Sequence, residues 1–331
     1  MNSESILPYA LLEFSSSGEG DHARLGIGQR LDIGDGGTVK ISNAVVALLY
    51  KLPSGPSRRA LFFYYFHKVP NLRDPKTFNE KLNWRILKDR RPILEWTCDK
   101  LAMKDYVEKN QTAKDLGVRI PRTLWSGTDV RSLSSVELPA HWVFKPNHRS
   151  GQVYFGHGQP DVTALDELSK NWLYPFEQNE LHEWAYSKAR PLLLVEELLG
   201  APGAVPADYK FYVFAGQVEA IQVDVGRHTD HRRRFYVPEW LPIDPISRNL
   251  PLAPIEPPPA NYDKMLAIAS ELGRPFDFIR VDLYTVGEGV FFGELTPYSG
   301  SGLDVMEPPD FDLELGTKWK LPELHGVTSG K

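Results

Sequence analysis

The segment 275–302, PFDFIRVDLYTVGEGVFFGELTPYSGSG, limits what this chain can fold into more than any other stretch. Apolar and polar residues alternate on both sides of the glycine-rich turn Val286-Gly287-Glu288-Gly289, which predicts a β-hairpin. Unbroken alternation puts Phe278, Arg280, Asp282 and Tyr284 on one face of the first strand. It puts Val290, Phe292, Glu294 and Thr296 on one face of the second. Asp282 and Glu294 are then neighbouring carboxylates on apolar strands, where they repel each other and lose hydration, so a cation must stand with them. Oxygen-only ligands suit magnesium rather than zinc. Arg280, beside them, is placed to meet an anion. The simpler alternative is a half-buried strand pair in which Arg280 neutralises Asp282.

At 331 residues the chain is long enough for a large core in two or three lobes. Its net charge of −5 argues against nucleic acid as the main partner, since that binding needs a basic face. One basic run, Arg227 to Arg234, stands as a local exception. No stretch approaches the roughly 18 continuous apolar residues of a membrane span, and the N-terminus lacks a signal pattern, so a cytoplasmic protein is expected. The single cysteine, Cys98, excludes an internal disulfide and a cysteine-based zinc site, and reads as a packing residue.

Residues 1–58 are rich in Gly and Ser and read as an N-terminal extension closed by a linker-like run, Lys51 to Ser57. Thr77-Phe78-Asn79-Glu80 is a capping box, which predicts a helix carrying Leu82, Ile86 and Leu87 inward until Pro92. A second helix should start near Asp99, with Leu101, Tyr106 and Val107 as its apolar face. Strands are expected at 119–125, 141–145 and 191–196, with a helical stretch over 166–187. Tyr209 to Phe214 and Gln217 to Val225 alternate around Ala215-Gly216, a second hairpin. A proline-dense loop, 241–259, precedes a helix over 261–272 that Gly273 should close. The order is α+β in two lobes, without repeats or strict βαβ alternation.

A second constellation suits a nucleotide. Lys145 ends an apolar strand and leads into Pro146-Asn147-His148-Arg149-Ser150-Gly151, a loop able to lie over phosphates while the lysine neutralises charge. The alternative is a surface lysine before an ordinary turn. No Walker loop and no G-x-G-x-x-G after a strand occurs. Val195-Glu196-Glu197-Leu198-Leu199 offers backbone groups and a carboxylate at a buried strand end, which suits an adenine amino group. Asp208-Tyr209-Lys210 opens the second hairpin with both charges on one face, and Arg227 closes it; a cross-strand ion pair is the alternative there.

Taken in order, these pieces resemble the ATP-grasp superfamily, and in detail its TupA-like branch, associated with teichuronopeptide biosynthesis. The resemblance runs from Phe66 to Gly302. It is carried by Pro70-Asn71-Leu72, by 75–82 (PKTFNEKL), by Asp99-Lys100 and Phe144 to His148, and by Val195-Glu196-Glu197. Asp208 to Phe211, Arg280 to Tyr284 and Gly293 to Thr296 complete it. The resemblance implies an ATP-grasp fold of two α+β lobes holding ATP between them. A pre-grasp region would span 59–125, lobe 1 with the phosphate lid and adenine strand 126–200, lobe 2 with the metal site 201–305, and a tail 306–331. By position, Lys100 and Lys145 would contact the ATP phosphates under a mobile lid that includes Asn147, His148, Ser150 and Gly151. Glu196 and the backbone of Glu197, Leu198 and Leu199 would hold adenine, and Asp208 the ribose or an adjacent polar contact. Asp282, Glu294 and Thr296 would carry magnesium, Arg280 would face the acyl phosphate and tetrahedral intermediate, and Lys210 and Arg227 would assist the γ-phosphate. The chain departs from the superfamily at Thr296, where asparagine is common, and at Arg149, where glycine is.

The implied reaction joins a carboxylic acid, free or linked to a polysaccharide, to the amine of an amino acid or peptide. Phosphorylation first makes the acid an electrophile, and orientation and charge neutralisation do the rest. His228 to Arg234 would hold a polyanionic acceptor or form a solvated basic loop. A kinase that phosphorylates a sugar or other hydroxyl is the alternative, and a nucleotide-binding protein without catalysis a third reading. No G-x-S-x-G elbow or H-E-x-x-H helix competes with these.

Overall fold

A computed structural model describes residues 30–32, 38–40, 48–174, 181–200, 206–226, 230–247 and 250–324. Arg30–Asp32 (β1) and Thr38–Lys40 (β2) pair antiparallel. Helix Ser54–Phe66 (α1) then starts inside the run expected as a linker, and Ser57 and Arg58 in its first turns are fully buried. The polar and small residues of that run are therefore a helix start rather than a spacer.

Helix Phe78–Lys88 (α2) begins where expected, with the reciprocal Thr77 and Glu80 capping bonds in place, and ends before Pro92. Pro92 itself opens a short 3-10 turn, Pro92–Leu94, where its fixed φ is an advantage. Asp99 caps helix Lys100–Lys109 (α3) through the Ala102 amide, and the short helix Gln111–Asp115 (α4) follows. The strand expected over 119–125 is two strands, Val118–Arg119 (β3) and Thr123–Gly127 (β4), in different sheets. Pro121 between them has no amide to continue a ladder.

The smaller sheet is antiparallel. It comprises β4, His141–Pro146 (β5), Tyr154–His157 (β6) and Leu193–Glu197 (β7), in the order β4-β7-β5-β6. Helix Val162–Ser169 (α5) and the turn Val130–Ser135 cover one face and bury Trp142, Phe144 and Val195. The helical stretch expected over 166–187 is instead the end of α5 and a separate 3-10 turn, Trp184–Lys188, with 175–180 outside the described residues.

Seven strands form the larger sheet, with Asp208–Phe214 (β8) and Gln217–Val225 (β9) at its centre. Arg232–Tyr236 (β10), Pro242–Ile243 (β11), Ile279–Val286 (β13) and Gly289–Thr296 (β14) extend it in the order β11-β10-β9-β8-β13-β14-β3. Ile246–Ser247 (β12) pairs apart with Met306–Glu307 (β15). Ala215 and Gly216, both at positive φ, make the tight β8–β9 turn. Helix Tyr262–Gly273 (α6) packs Met265, Ile268 and Leu272 against Phe211, Ile221, Val281 and Leu283 on one face of this sheet. Gly273 does not close that helix with a left-handed cap. It lies inside it, where a Cβ would stand 2.4 Å from Val213 Cγ1, so its role is close helix–sheet approach. The opposite face is polar at one end. At the other end Tyr212, Phe214, Phe235 and Phe278 meet Phe78, Leu82 and the C-terminal helix Asp310–Lys318 (α7).

Candidate active site

The β13–β14 hairpin forms as the alternation predicts, but not in the predicted phase throughout. Asp282 pairs with Glu294 while Leu283 pairs with Phe292, so Gly293 is an extra, bulged residue. The bulge turns Val290 and Phe292 to the α6 side, where they are buried with Leu283 and Leu295, and leaves Glu294 and Thr296 on the face of Arg280 and Asp282. A glycine is needed there: a Cβ on residue 293 would lie 2.9 Å from the Asp282 carbonyl oxygen and 2.8 Å from the Tyr284 ring.

Register aligns this face into rows. Gln222, Lys210, Asp282 and Glu294 lie side by side across β9, β8, β13 and β14. A second row holds Arg233, Asp224, Asp208 and Tyr284, and a third holds Tyr212, Arg280 and Thr296. Arg280 holds Asp282 in a fork, Nε to Oδ1 and Nη2 to Oδ2, each 2.7 Å. The same Nη2 lies 3.4 Å from Glu294 Oε1 and 3.1 Å from Thr296 Oγ1. Oxygens of all three expected metal-binding side chains thus converge on one cation. Burial opposes the Arg280 charge, but Asp282, Tyr212 and Glu294 around it raise its pKa above the ordinary arginine value. Burial pushes the Asp282 carboxyl up despite Arg280 and Lys210, and Glu294 adds to that push. A further cation at this point would relieve that cost.

Asp208 and Lys210 form a buried ion pair, and the Lys210 ammonium also lies 3.5 Å from Asp224 and 3.7 Å from Asp282. The Asp208 pair lies within β8, and the cross-strand ion pairing considered as the alternative is present in the Lys210 contacts to Asp224 and Asp282. Arg227 and His228 lie outside the described residues. Arg232, Arg233 and Arg234 of the run lie in strand β10 rather than in a loop, and Arg232 is partly exposed beside Asp230. Arg233 in strand β10 bonds Asp224 at 2.7 Å and Asp304 at 3.0 Å, and Arg234 is buried against Asp244 and the Ala253 carbonyl. Both are spent inside the fold, which leaves them unavailable to a polyanion.

At the smaller sheet, Lys145 Nζ lies 2.5 Å from Glu196 Oε2, and Lys104 Nζ lies 2.6 Å from Oε1. Burial alone would raise the Glu196 pKa; Lys145 and Lys104 outweigh it and hold the carboxyl at about 2. Lys104, one turn after Lys100 on α3, escaped the sequence reading although its i+4 spacing placed it on the same face. A cavity of about 560 Å³ opens beside it, lined also by Leu101, Val118, Ile120 and Thr123. Burial, and then Lys145, lower Lys100 to about 8, against the pull of Glu294 and Glu196. Lys100 therefore feels the lysine–glutamate cluster of one sheet and the carboxylate of the other. Met103 fixes this bridge from α3 by accepting the Leu295 amide at 3.1 Å.

The expected lid divides in two. Asn147 and His148 are buried, and Asn147 is fully engaged: Oδ1 accepts the Leu101 amide at 2.9 Å and Nδ2 donates to the Arg190 carbonyl at 2.9 Å. His148 Nε2 faces the Tyr174 carbonyl at 3.1 Å. Asn147 thus ties the base of the loop to α3, and His148 ties it to the segment after α5. Ser150 and Gly151 reach the surface, with Gly151 at φ 83°. Glu197 exchanges backbone and side-chain bonds with Arg122, and Leu198 and Leu199 follow half-buried beside it. Cys98 is buried and its thiol is pushed well up by burial, as a packing residue requires.

Among the described residues no group of three or more His, Cys, Asp or Glu is arranged to hold a metal, and no helix is long and apolar enough to cross a membrane. Two carboxylates and a hydroxyl do converge, and such hard oxygens fit a magnesium ion completed by nucleotide oxygens.

A four-stranded antiparallel sheet carrying lysines, bridged to a larger sheet carrying paired carboxylates, defines a protein of the ATP-grasp class. The chain belongs to the TupA-like ATPgrasp family, whose model matches residues 80–320. No curated protein matches the sequence. Among solved structures it is similar to the D-alanine-D-alanine ligase of Helicobacter pylori, at 16% identity and a TM-score of 0.39, over 69% of this chain and 59% of that one. It is similar to the L-amino acid ligase of Bacillus licheniformis at 11% identity and a TM-score of 0.41, over 77% and 58%. The ATP-grasp ligase PsnB, complexed with a phosphomimetic variant of its minimal precursor, Mg and ADP, is similar at 16% and 0.36, over 73% and 66%. The chain spans about three fifths of the length of the first two.

Proposed function

We propose that this chain is an ATP-dependent carboxylate–amine ligase that forms an amide through an acyl phosphate. The observation that carries the reading is Lys100, whose ammonium donates to the Asn147 and Arg149 carbonyls of the loop after β5 and whose pKa responds to Lys145 and Glu196 of the smaller sheet and to Glu294 of the larger. A triphosphate laid along that line would meet two lysines at one end and carboxylates at the other.

Glu196 and the strand end through Leu199 hold the adenine edge, with Lys104 keeping Glu196 ionised. Lys100 and Lys145 neutralise phosphate charge, and Ser150 and Gly151 close over it. Asp282, Glu294 and Thr296 would hold magnesium, which would screen the phosphates and orient the γ-phosphoryl group. Arg280, once released from Asp282, would neutralise the acyl phosphate and the oxyanion of the tetrahedral intermediate, and Lys210 and Arg227 would assist at the γ-phosphate. The substrate carboxylate takes the γ-phosphoryl group and frees ADP; the amine then attacks the acyl carbon, phosphate leaves, and the ammonium proton passes to solvent. The TupA-like family supports a cell-envelope acid, such as a uronic acid of a surface polysaccharide, joined to an amino acid or peptide.

Acid and amine pairs should be screened for phosphate release with magnesium and ATP. Release that needs both partners, with a hydroxamate formed when hydroxylamine replaces the amine, supports the ligase. A stable phosphate ester on a hydroxyl acceptor replaces it with a kinase.

A further inference from the structure

Beyond β14 the backbone makes a left-handed turn, in which Gly300, Ser301 and Gly302 have φ of 55°, 53° and 63°. Glycine takes this region freely, but Ser301 does not, so the turn must be held in place. Packing leaves it little room: a Cβ on residue 302 would lie 2.7 Å from Asn83 Nδ2 and 2.9 Å from Leu82 Cβ. The restraint comes from α1, outside the residues that the family model matches. Arg58, fully buried, donates Nη1 to Ser301 Oγ at 3.2 Å, Nη2 to the Ser301 carbonyl and Nε to Asn83 Oδ1 at 2.8 Å. Asn83 in turn donates Nδ2 to the Gly302 carbonyl at 2.7 Å.

Both flanks of the turn touch the site. Ser299 Oγ lies 3.3 Å from Arg280 Nη1 and 3.0 Å from the Tyr212 hydroxyl. Asp304 accepts from Arg233 Nη1 at 3.0 Å, and Arg233 holds Asp224 beside Lys210. Only a planar fork of donors reaches Ser301 and Asn83 together; an ammonium on a flexible stem does not.

We propose that Arg58 is a positioning residue for the ligase reaction: from α1 it clamps the left-handed turn Ser299–Gly302, which sets Ser299 against Arg280 and Asp304 against Arg233. This rests on the proposed role of Arg280 at the reacting anion, but the order of the turn is readable without turnover.

The test compares Arg58→Met, Arg58→Lys and Arg58→Met with Ser301→Gly. In Arg58→Met, amide hydrogen exchange over 297–304 should rise by about tenfold or more while 193–197 keeps its protection. With an active acid and amine pair, kcat should fall by roughly 10-fold to 100-fold at little change in the KM for ATP, because Arg280 is misplaced rather than removed. Arg58→Lys should resemble Arg58→Met. Adding Ser301→Gly should recover much of kcat, since glycine takes the left-handed φ unaided. Wild-type kcat in folded Arg58→Met, or exchange that rises equally in both segments, overturns the proposal. If Arg58→Met does not fold, Arg58→Lys carries the same comparisons. If no acid and amine pair turns over, the ligase reading falls by itself, and exchange in the presence of magnesium and a non-hydrolysable ATP analogue decides the clamp: loosening confined to 297–304 supports it, unchanged exchange sinks it.

Discussion

Arg280 and Asp282 are joined by two parallel hydrogen bonds of 2.7 Å, and the nitrogen that completes the fork also faces Glu294 and Thr296. The guanidinium thus stands on the oxygens that a divalent ion would need. In the proposed reaction, a metal taking these oxygens would free Arg280 toward the substrate. Removing the guanidinium should favour the metal: Arg280→Met should bind manganese about tenfold more tightly than wild type without nucleotide, read by electron paramagnetic resonance. Arg280→Lys keeps the charge but not the fork, so kcat should fall by roughly 10² to 10³. Manganese affinity that is unchanged or weaker in Arg280→Met would show that these oxygens are not the metal's.

Glu196 gives a pH signature. Its folded pKa of about 2 lies below the ordinary 4.5, so the ionised form is favoured by folding. That stabilisation is complete above about pH 4.5 and disappears as pH falls toward 2; it is on the order of 3 kcal/mol for this buried group. Glu196→Gln, which leaves Lys145 and Lys104 without their partner, should therefore lower the urea midpoint strongly at pH 6 and much less at pH 3. An equal difference at both values would mean that the two lysines do not hold Glu196 as the geometry indicates.

Much of this site was legible because its residues carry local signals. Thr77 and Glu80 mark a helix start by spacing alone, and the alternation of 278–284 shows which residues share a face with Asp282. What escaped reading depended on distant partners. Arg233 and Arg234 look like a solvated basic run until Asp224, Asp304 and Asp244 are brought beside them. Arg58 sits in a stretch of Pro, Gly and Ser, and its acceptors at Asn83 and Ser301 are 25 and 243 residues away. The bulge at Gly293 breaks a period of two that strand reading assumes constant, so the faces of Val290 and Phe292 came out reversed.

That bulge is a second mutational handle. Gly293→Ala forces a methyl against the Asp282 carbonyl and the Tyr284 ring, so β14 must shift relative to β13. Overpacking of this kind costs about 1 to 3 kcal/mol, and the shift moves Glu294 off Asp282. Thermal unfolding should show the lost stability, and manganese affinity should drop with it. A variant that is destabilised yet binds manganese as wild type would separate the bulge from the metal site.

If Lys100 meets the phosphates as proposed, it links protonation to nucleotide binding. Burial and the neighbouring Lys145 lower its pKa to about 8, so near pH 8.5 much of it is neutral in the free protein. Phosphate oxygens beside it favour the charged form and raise that pKa, so binding at this pH must take up protons, and affinity must fall as pH rises from 7 to 9. Calorimetry of magnesium and a non-hydrolysable ATP analogue in buffers of different ionisation enthalpy reads the uptake directly. About half a proton is expected near pH 8.5 and much less at pH 7. Lys100→Met should bind more weakly and abolish the buffer dependence; if the dependence persists in that variant, another group takes the proton and Lys100 does not meet the phosphates.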